Sequence, residues 1–284
     1  MDYRQCATRT TLIVMLVTAT VVVCQTRKEF RYTVGPHASV SVVNQYGPIT
    51  VTPAPGNQVV VTAVLHSDKV EIDQSQSANR VELISHLLPG STSDSGRVDY
   101  EVLVPPDASV SLHSSTGPLR AEKLHGDVTL EGATANVDVH DISNAHVHVK
   151  TLDGPVILSN ISDGHVEITS ISGNVTLDEV SGPLVQVSSN SGKILYTGDF
   201  GSGGEYSLMS HTGDIDANVA SYASFDVIAR SIKGRVENDF LLGPKHTPFA
   251  IKAGSAFAGT LNKAASSVKL SSFSGKIHLR KRQP

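Results

Sequence analysis

The side chains best suited to chemistry are a few histidines and aspartates. His146 and His165 stand 19 residues apart in matching contexts, Ala-His-Val-His-Val and Gly-His-Val-Glu-Ile, and His148 follows two residues after the first. Paired imidazoles can bind a metal or respond to pH. No carboxylate or thiolate completes a ligand set by spacing. Incidental surface histidines, among 12 spread through the chain, account for the pattern better. Asp214, Asp216 and Asp226 form the nearest carboxylate group, and paired carboxylates cleave glycosidic bonds. These three occupy routine outward positions, and no loop rich in Arg, Lys and aromatics gathers near them. The chain has no Trp and 7 Tyr, so sugar platforms are scarce.

Charge spacing adds one more pattern. Lys193, Asp214 and Arg235 recur every 21 residues. Stacked, their signs alternate, giving an outward ion ladder worth little per pair. Asp216 and Glu237 share the same spacing and would stack as like charges, which is unfavourable unless a cation or basic neighbour intervenes. Gly201-Ser202-Gly203-Gly204 is similar to a glycine-rich calcium repeat, but it occurs once and lacks the recurring aspartate, so it reads as a turn. Asn160-Ile161-Ser162 and Asn174-Val175-Thr176 are formal glycosylation sequons. The basic tail Leu279-Arg280-Lys281-Arg282 carries no anchor motif. No catalytic residue, metal or cofactor is expected. His146, His148, His165, Asp214 and Asp216 stand as candidates for surface binding.

These residues sit on a repeat. A small residue is followed by apolar positions two and four later, beginning at Gly117-Pro118-Leu119-Arg120-Ala121. From Gly117 to Gly192 the spacings are 9, 9, 10, 9, 10, 9, 9 and 10. The register loosens but persists at Gly204, Gly213, Ala223, Gly234 and Gly275. Apolar and polar residues alternate with period 2, the signature of a strand with one face buried. A five-residue strand spans about 17 Å, so one unit is too short to be a whole coil. Two units close one: out along one sheet and back along another, about 19 residues per coil. Alternate units then sort into two columns. Gly117, Ala135, Gly154, Gly173, Gly192, Gly213 and Gly234 form one; Gly126, Ala145, Gly164, Gly182, Gly204 and Ala223 form the other. Glycine there supplies positive φ or close backbone approach. The expected fold is all-β, a parallel β-solenoid with two strands per coil. An antiparallel β-sandwich with hairpin turns is the alternative; near-constant unit length favours the solenoid.

Composition sets the frame. With 23 Lys+Arg against 27 Asp+Glu in 284 residues, the chain has no long-range field for nucleic acid. Residues 1–25 combine a basic head (Arg4, Arg9), an apolar run (Leu12–Val23) and a polar exit. They read as a secretory signal peptide, because twelve helical residues span about 18 Å, less than a bilayer core. Lipid attachment at Cys24 is a minor alternative, since Val21-Val22-Val23 lacks the usual small residue. Both cysteines, Cys6 and Cys24, lie in the leader, so the mature chain has no disulfide and no membrane span. Residues 26–110 read as a strand-rich N-terminal part or cap, and 111–280 as the repetitive body, with an irregular excursion at 241–265.

Three elements carry a family resemblance. They are Ala38-Ser39-Val40-Ser41-Val42 with Gly47-Pro48-Ile49-Thr50-Val51, Tyr100-Glu101-Val102-Leu103-Val104-Pro105 running into Ser115-Thr116-Gly117, and the Ser-Gly-x-apolar series ending in Ser274-Gly275-Lys276-Ile277. Over roughly residues 30–280 the chain resembles the bacterial "putative adhesin" domains of unknown function. The resemblance implies an exported, non-enzymatic envelope or secreted protein in the periplasm, at the cell surface or outside the cell. It brings no catalytic residues. A surface glycan or a protein is the implied partner. Two other readings remain: a polysaccharide-acting enzyme on a β-helix, and a periplasmic scaffold or sensor whose partner meets an exposed apolar patch in Leu241–Phe257.

Overall fold

A computed structural model of the protein describes residues 25–244 and 255–282. The expected leader, including Cys6 and Cys24, lies outside the described residues apart from Gln25, and so does the middle of the 241–265 excursion.

Every regular element among the described residues is a strand. The N-terminal part holds β1 (Thr26–Thr33), β2 (Ser39–Asn44), β3 (Ile49–Pro53), β4 (Gln58–Leu65), β5 (Val70–Ser77), β6 (Arg80–Leu87) and β7 (Val98–Val104). The repeat begins with β8 (Ser109–Ser114), β9 (Leu119–Glu122), β10 (Val128–Gly132), β11 (Val137–Ser143), β12 (His146–Thr151) and β13 (Val156–Ser162). It continues with β14 (His165–Ser170), β15 (Val175–Val180), β16 (Leu184–Ser189), β17 (Ile194–Gly198), β18 (Glu205–Ser210) and β19 (Ile215–Val219). The C-terminal part holds β20 (Phe225–Ser231), β21 (Val236–Asn238), β22 (Ser255–Leu261), β23 (Ser266–Ser272) and β24 (Ile277–Lys281).

Alternation of β-branched and polar residues makes these segments strands, and the second strand of each rung faces the first. The result is two 12-stranded sheets. Sheet A runs β1-β4-β7-β3-β9-β11-β13-β15-β17-β19-β24-β21, and sheet B runs β22-β20-β23-β18-β16-β14-β12-β10-β8-β2-β6-β5. The body pairs in parallel, with Val147 opposite Val166 and Val166 opposite Val185. Inward valines, leucines and isoleucines of both sheets fill one continuous core, nearly all fully buried. Each such side chain contributes about 1.5–3 kcal/mol by leaving water. Among the described residues, antiparallel strand pairing occurs only where β1, β4 and β7 meet, between β5 and β6, and between β20 and β22. The fold is therefore the parallel solenoid and not the sandwich.

The glycine columns exist for close approach. A methyl on Gly173 would lie 1.9 Å from the carbonyl oxygen of Gly154, and one on Gly192 would lie 2.0 Å from that of Gly173. Positive φ is not the reason in these columns. Left-handed backbone falls instead to other positions, among them Lys123 just after β9, Asp141 in β11, Asn160 in β13 and Glu179 in β15. Three residues before the glycine of the first column sits a buried hydroxyl. Ser189, Ser210 and Ser272 each accept the backbone N–H of Gly192, Gly213 and Gly275 at 2.9 Å. Ser210 and Ser272 also donate to the glycine carbonyl of a neighbouring rung. One rung departs from this rule consistently: where Ala135 replaces glycine, Gly132 replaces the serine, since a Cβ on Gly132 would lie 2.9 Å from that of Ala135.

Both ends fold back into the stack. Strands β2 and β3 form a rung between β6/β7 on one side and β8/β9 on the other. At the far end, β20 and β21 skip a place, and the last rung, β23/β24, fills it against β18/β19. This corrects the direct succession from Gly213 to Gly234: Gly275 lies between them. A second correction concerns Leu184. His165 pairs with Leu184, so Val185 and Val187 point inward while Leu184 and Gln186 face outward. One extra residue after Gly182 causes the shift.

Candidate functional site

Because the interior is packed with side chains, chemistry is confined to the outer faces of the two sheets and the corners between them. On sheet A, the row through Asp216 shows what the folded-back end accomplishes. Asp216 pairs in register with His278, and His278 pairs with Glu237. The two carboxylates expected to stack are separated by a basic residue. His278 Nε2 lies 2.9 Å from Asp239 Oδ1, and its Nδ1 lies 3.6 Å from Glu237, too long for a hydrogen bond. Lys193 Nζ reaches Asp216 at 2.6 Å, Arg280 approaches it at 3.4 Å, and Lys276 holds Glu237 at 2.8 Å.

The acidities follow from this. Burial raises the Asp216 carboxyl, but the Lys193 hydrogen bond and charge, with Arg280 and His278, hold it below the usual aspartate range. Glu237 is lowered chiefly by its Lys276 hydrogen bond, and Asp239 by its hydrogen bond to His278. All three are acceptors in a charge network, not proton donors. Asp214 lies just before β19, where its Oδ1 accepts the backbone N–H of Lys276 at 2.7 Å. The ladder expected from Lys193, Asp214 and Arg235 is thus interrupted by Lys276.

On sheet B, His146 and His165 stack with ring centroids 4.7 Å apart and planes 15° apart. The backbone N–H of His146 donates to Asp127 Oδ1, and His148 Nδ1 lies 3.3 Å from Glu167. The column above His165 continues with Leu184, which is not a ligand. Among the described residues, no three His, Cys, Asp or Glu side chains gather as a metal site. The five sequence candidates are divided, with the histidines on sheet B, Asp216 on sheet A and Asp214 in the turn just before β19. Asp226 belongs to β20 of sheet B, so the carboxylate trio does not assemble.

Sequence reasoning missed three features. His278, Lys276 and Arg280 were hidden because their rung is contributed by the end of the chain; the like-charge conflict of Asp216 and Glu237 was the available signal. A corner ridge runs along the turn after the sheet-B strands. Leu152 is 54%, Ile171 48% and Ile232 49% exposed, and His211 stacks on Phe273 at 4.8 Å with Lys233 Nζ 4.7 Å from the Phe273 ring. Finally, a shallow depression of about 660 Å³ lies on the outer face of sheet B, lined by residues of β16, β18, β20 and β23.

No curated protein matches. A structure from Bacteroides fragilis described as a "putative adhesin" aligns at 13% identity and TM-score 0.52, covering 90% of this chain and 97% of its own. A "putative cell adhesion protein" from Clostridium sporogenes aligns at 13% identity and TM-score 0.32, covering 90% of this chain and 100% of its own. The family pattern described as Toastrack DUF4097 matches residues 37–280. The chain belongs to the Toastrack DUF4097 family.

Proposed function

We propose that the protein is a non-enzymatic binding surface that works outside the cytoplasm, in the manner of an adhesin. The observation that carries this reading is geometric: both sheets present long rows of outward polar side chains over a packed core, and the most enclosed carboxylate, Asp216, is held by Lys193 at 2.6 Å and Arg280 at 3.4 Å. Glycoside hydrolysis needs a carboxylic acid whose pKa is raised so that it can donate a proton. Asp99, Asp141, Asp216, Glu237 and Asp239 are all shifted, and all downward. At Asp99 and Asp216 burial pushes upward, and hydrogen bonds and charge from basic neighbours overcome it. Long outward rows of Ser, Thr, Asn, Asp and His offer many polar contacts of modest strength, which suits a surface binder. The "putative adhesin" description of the Bacteroides fragilis structure supports the same reading, and the basic head and apolar run of residues 1–25 support export.

The test is to incubate the purified protein with a glycan panel and score retention and cleavage separately. Retention without cleavage is the expected result; cleavage overturns the reading. A second reading, a scaffold for a protein partner, is favoured by one observation, the exposed ridge of Leu152, Ile171 and Ile232. It predicts neither retention nor cleavage on any glycan.

A further inference from the structure

The outer face of sheet B is not uniform. Across β8, β10, β12 and β14, outward charges meet opposite charges or imidazoles: His113 and Lys150 flank Glu131, each at 3.7 Å, and His148 meets Glu167. In the depression over β16, β18, β23 and β20 the pattern changes. Lys269 lies between Ser207 and Ile228 in its register row, and Arg230 pairs with Ser271 in the next. Both cations are exposed, and neither makes an ion pair among the described residues. Around them stand the hydroxyls of Ser207, Ser267 and Ser271, the Gln186 amide, and two half-buried aliphatic side chains, Leu184 and Ile228. Leu184 faces this floor only because of the extra residue after Gly182.

We propose that this depression binds a linear acidic polysaccharide, with carboxylate groups of the glycan held by Lys269 and Arg230. The inference deepens the adhesin reading and rests on it. Three observations select the ligand class. Two cations on adjacent strands, offset by one row, lie about 7–8 Å apart at the backbone, so they engage separate anionic groups on one extended ligand. Neutral hydroxyl and amide groups between them match sugar hydroxyls. The aliphatic pair offers an apolar patch for the C–H face of a sugar ring. A nucleic acid would need a longer track of Lys and Arg to neutralise its closely spaced phosphates than the two cations of this floor provide, and Glu205 at its edge sets the spacing at which glycan carboxylates can sit.

The experiment measures binding of the full-length protein to three probes by affinity electrophoresis: polygalacturonate, its fully methyl-esterified form, and single-stranded DNA. The expected result is retardation by polygalacturonate, little by the neutral ester and little by DNA. The R230Q/K269Q double variant is expected to lose about tenfold or more in affinity, the effect of removing two exposed charge-assisted contacts. Both positions are exposed, so the variant folds; an unchanged melting temperature checks this. Binding by L184S/I228S weakened several-fold at unchanged charge supports the same footprint. The inference is overturned if polygalacturonate does not bind, if the ester or DNA binds equally well, or if the double variant binds like the native protein. Retention of other glycans alongside any of those results leaves the adhesin reading standing, so the two failures are distinguishable.

Discussion

Asp216 and His278 lie directly opposite each other on adjacent parallel strands, although β20, β21, β22 and β23 separate them in the chain. The C-terminal rung is thereby a structural insert, held on one side by β18/β19 and on the other by β20/β21. It also prevents Asp216 and Glu237 from facing each other. Placing a carboxylate at this position by H278E would put three acidic side chains in one row, in a setting where the native side chain is only 14% exposed. The variant is expected to lose about 2 kcal/mol of unfolding free energy, and H278Q distinctly less. Urea denaturation of the two variants measures the difference.

The pH dependence follows from the same network. Asp216, Glu237 and Asp239 have folded-state acidities lowered relative to the unfolded chain. Groups of this kind stabilise the folded state fully above the unfolded value, near pH 4, and lose that contribution as pH falls through the lower folded value. Thermal melts between pH 7 and pH 3 are expected to show stability falling below about pH 5. D216N should flatten part of that slope while lowering stability at pH 7. A slope unchanged in D216N would contradict the assignment.

The glycine corners give a steric prediction. Gly173→Ala brings a methyl to 1.9 Å from the Gly154 carbonyl oxygen, a backbone atom with no room to move between stacked rungs. A loss of about 1–3 kcal/mol is expected. Loss of the same size is not expected from a surface change such as Thr176→Ala, which leaves the corner untouched. Thermal or urea unfolding of the two variants side by side checks the contrast.

The hydroxyl column behind those corners gives another. Ser210 Oγ accepts from the Gly213 N–H at 2.9 Å and donates to the Gly192 carbonyl at 3.4 Å. Ser210→Ala leaves a buried N–H without its partner and is expected to cost about 1–3 kcal/mol. Ser210→Thr keeps the oxygen and separates loss of the hydrogen bond from a change of volume. Equilibrium denaturation of both variants gives the comparison.

Much of this architecture is legible in the sequence because the solenoid is a local rule repeated. The apolar alternation of Val147 with Val149, and of Val166 with Ile168, fixes which face is inward, and the corner glycines fix the rung length. What escaped has a physical cause. Gly213 and Gly234 are as far apart as any successive rungs, so spacing does not reveal that a third rung separates them. Only chemistry does, through the clash of Asp216 with Glu237 that His278 resolves. The Gly182 rung escaped because a one-residue insertion leaves the glycine in place while turning Leu184 outward. The site was less legible still. His146 and His165 do stack as their spacing implied, but Lys269 and Arg230 stand out only once the partners of other outward charges are known.

The most direct test of the account is chemical. Purified protein is held for an extended period with each glycan that retains it, and new reducing ends and unsaturated products are measured against a protein-free control. The account predicts retention with no product above the control. Product release that disappears in D216N, with retention preserved, would contradict it and identify an enzyme.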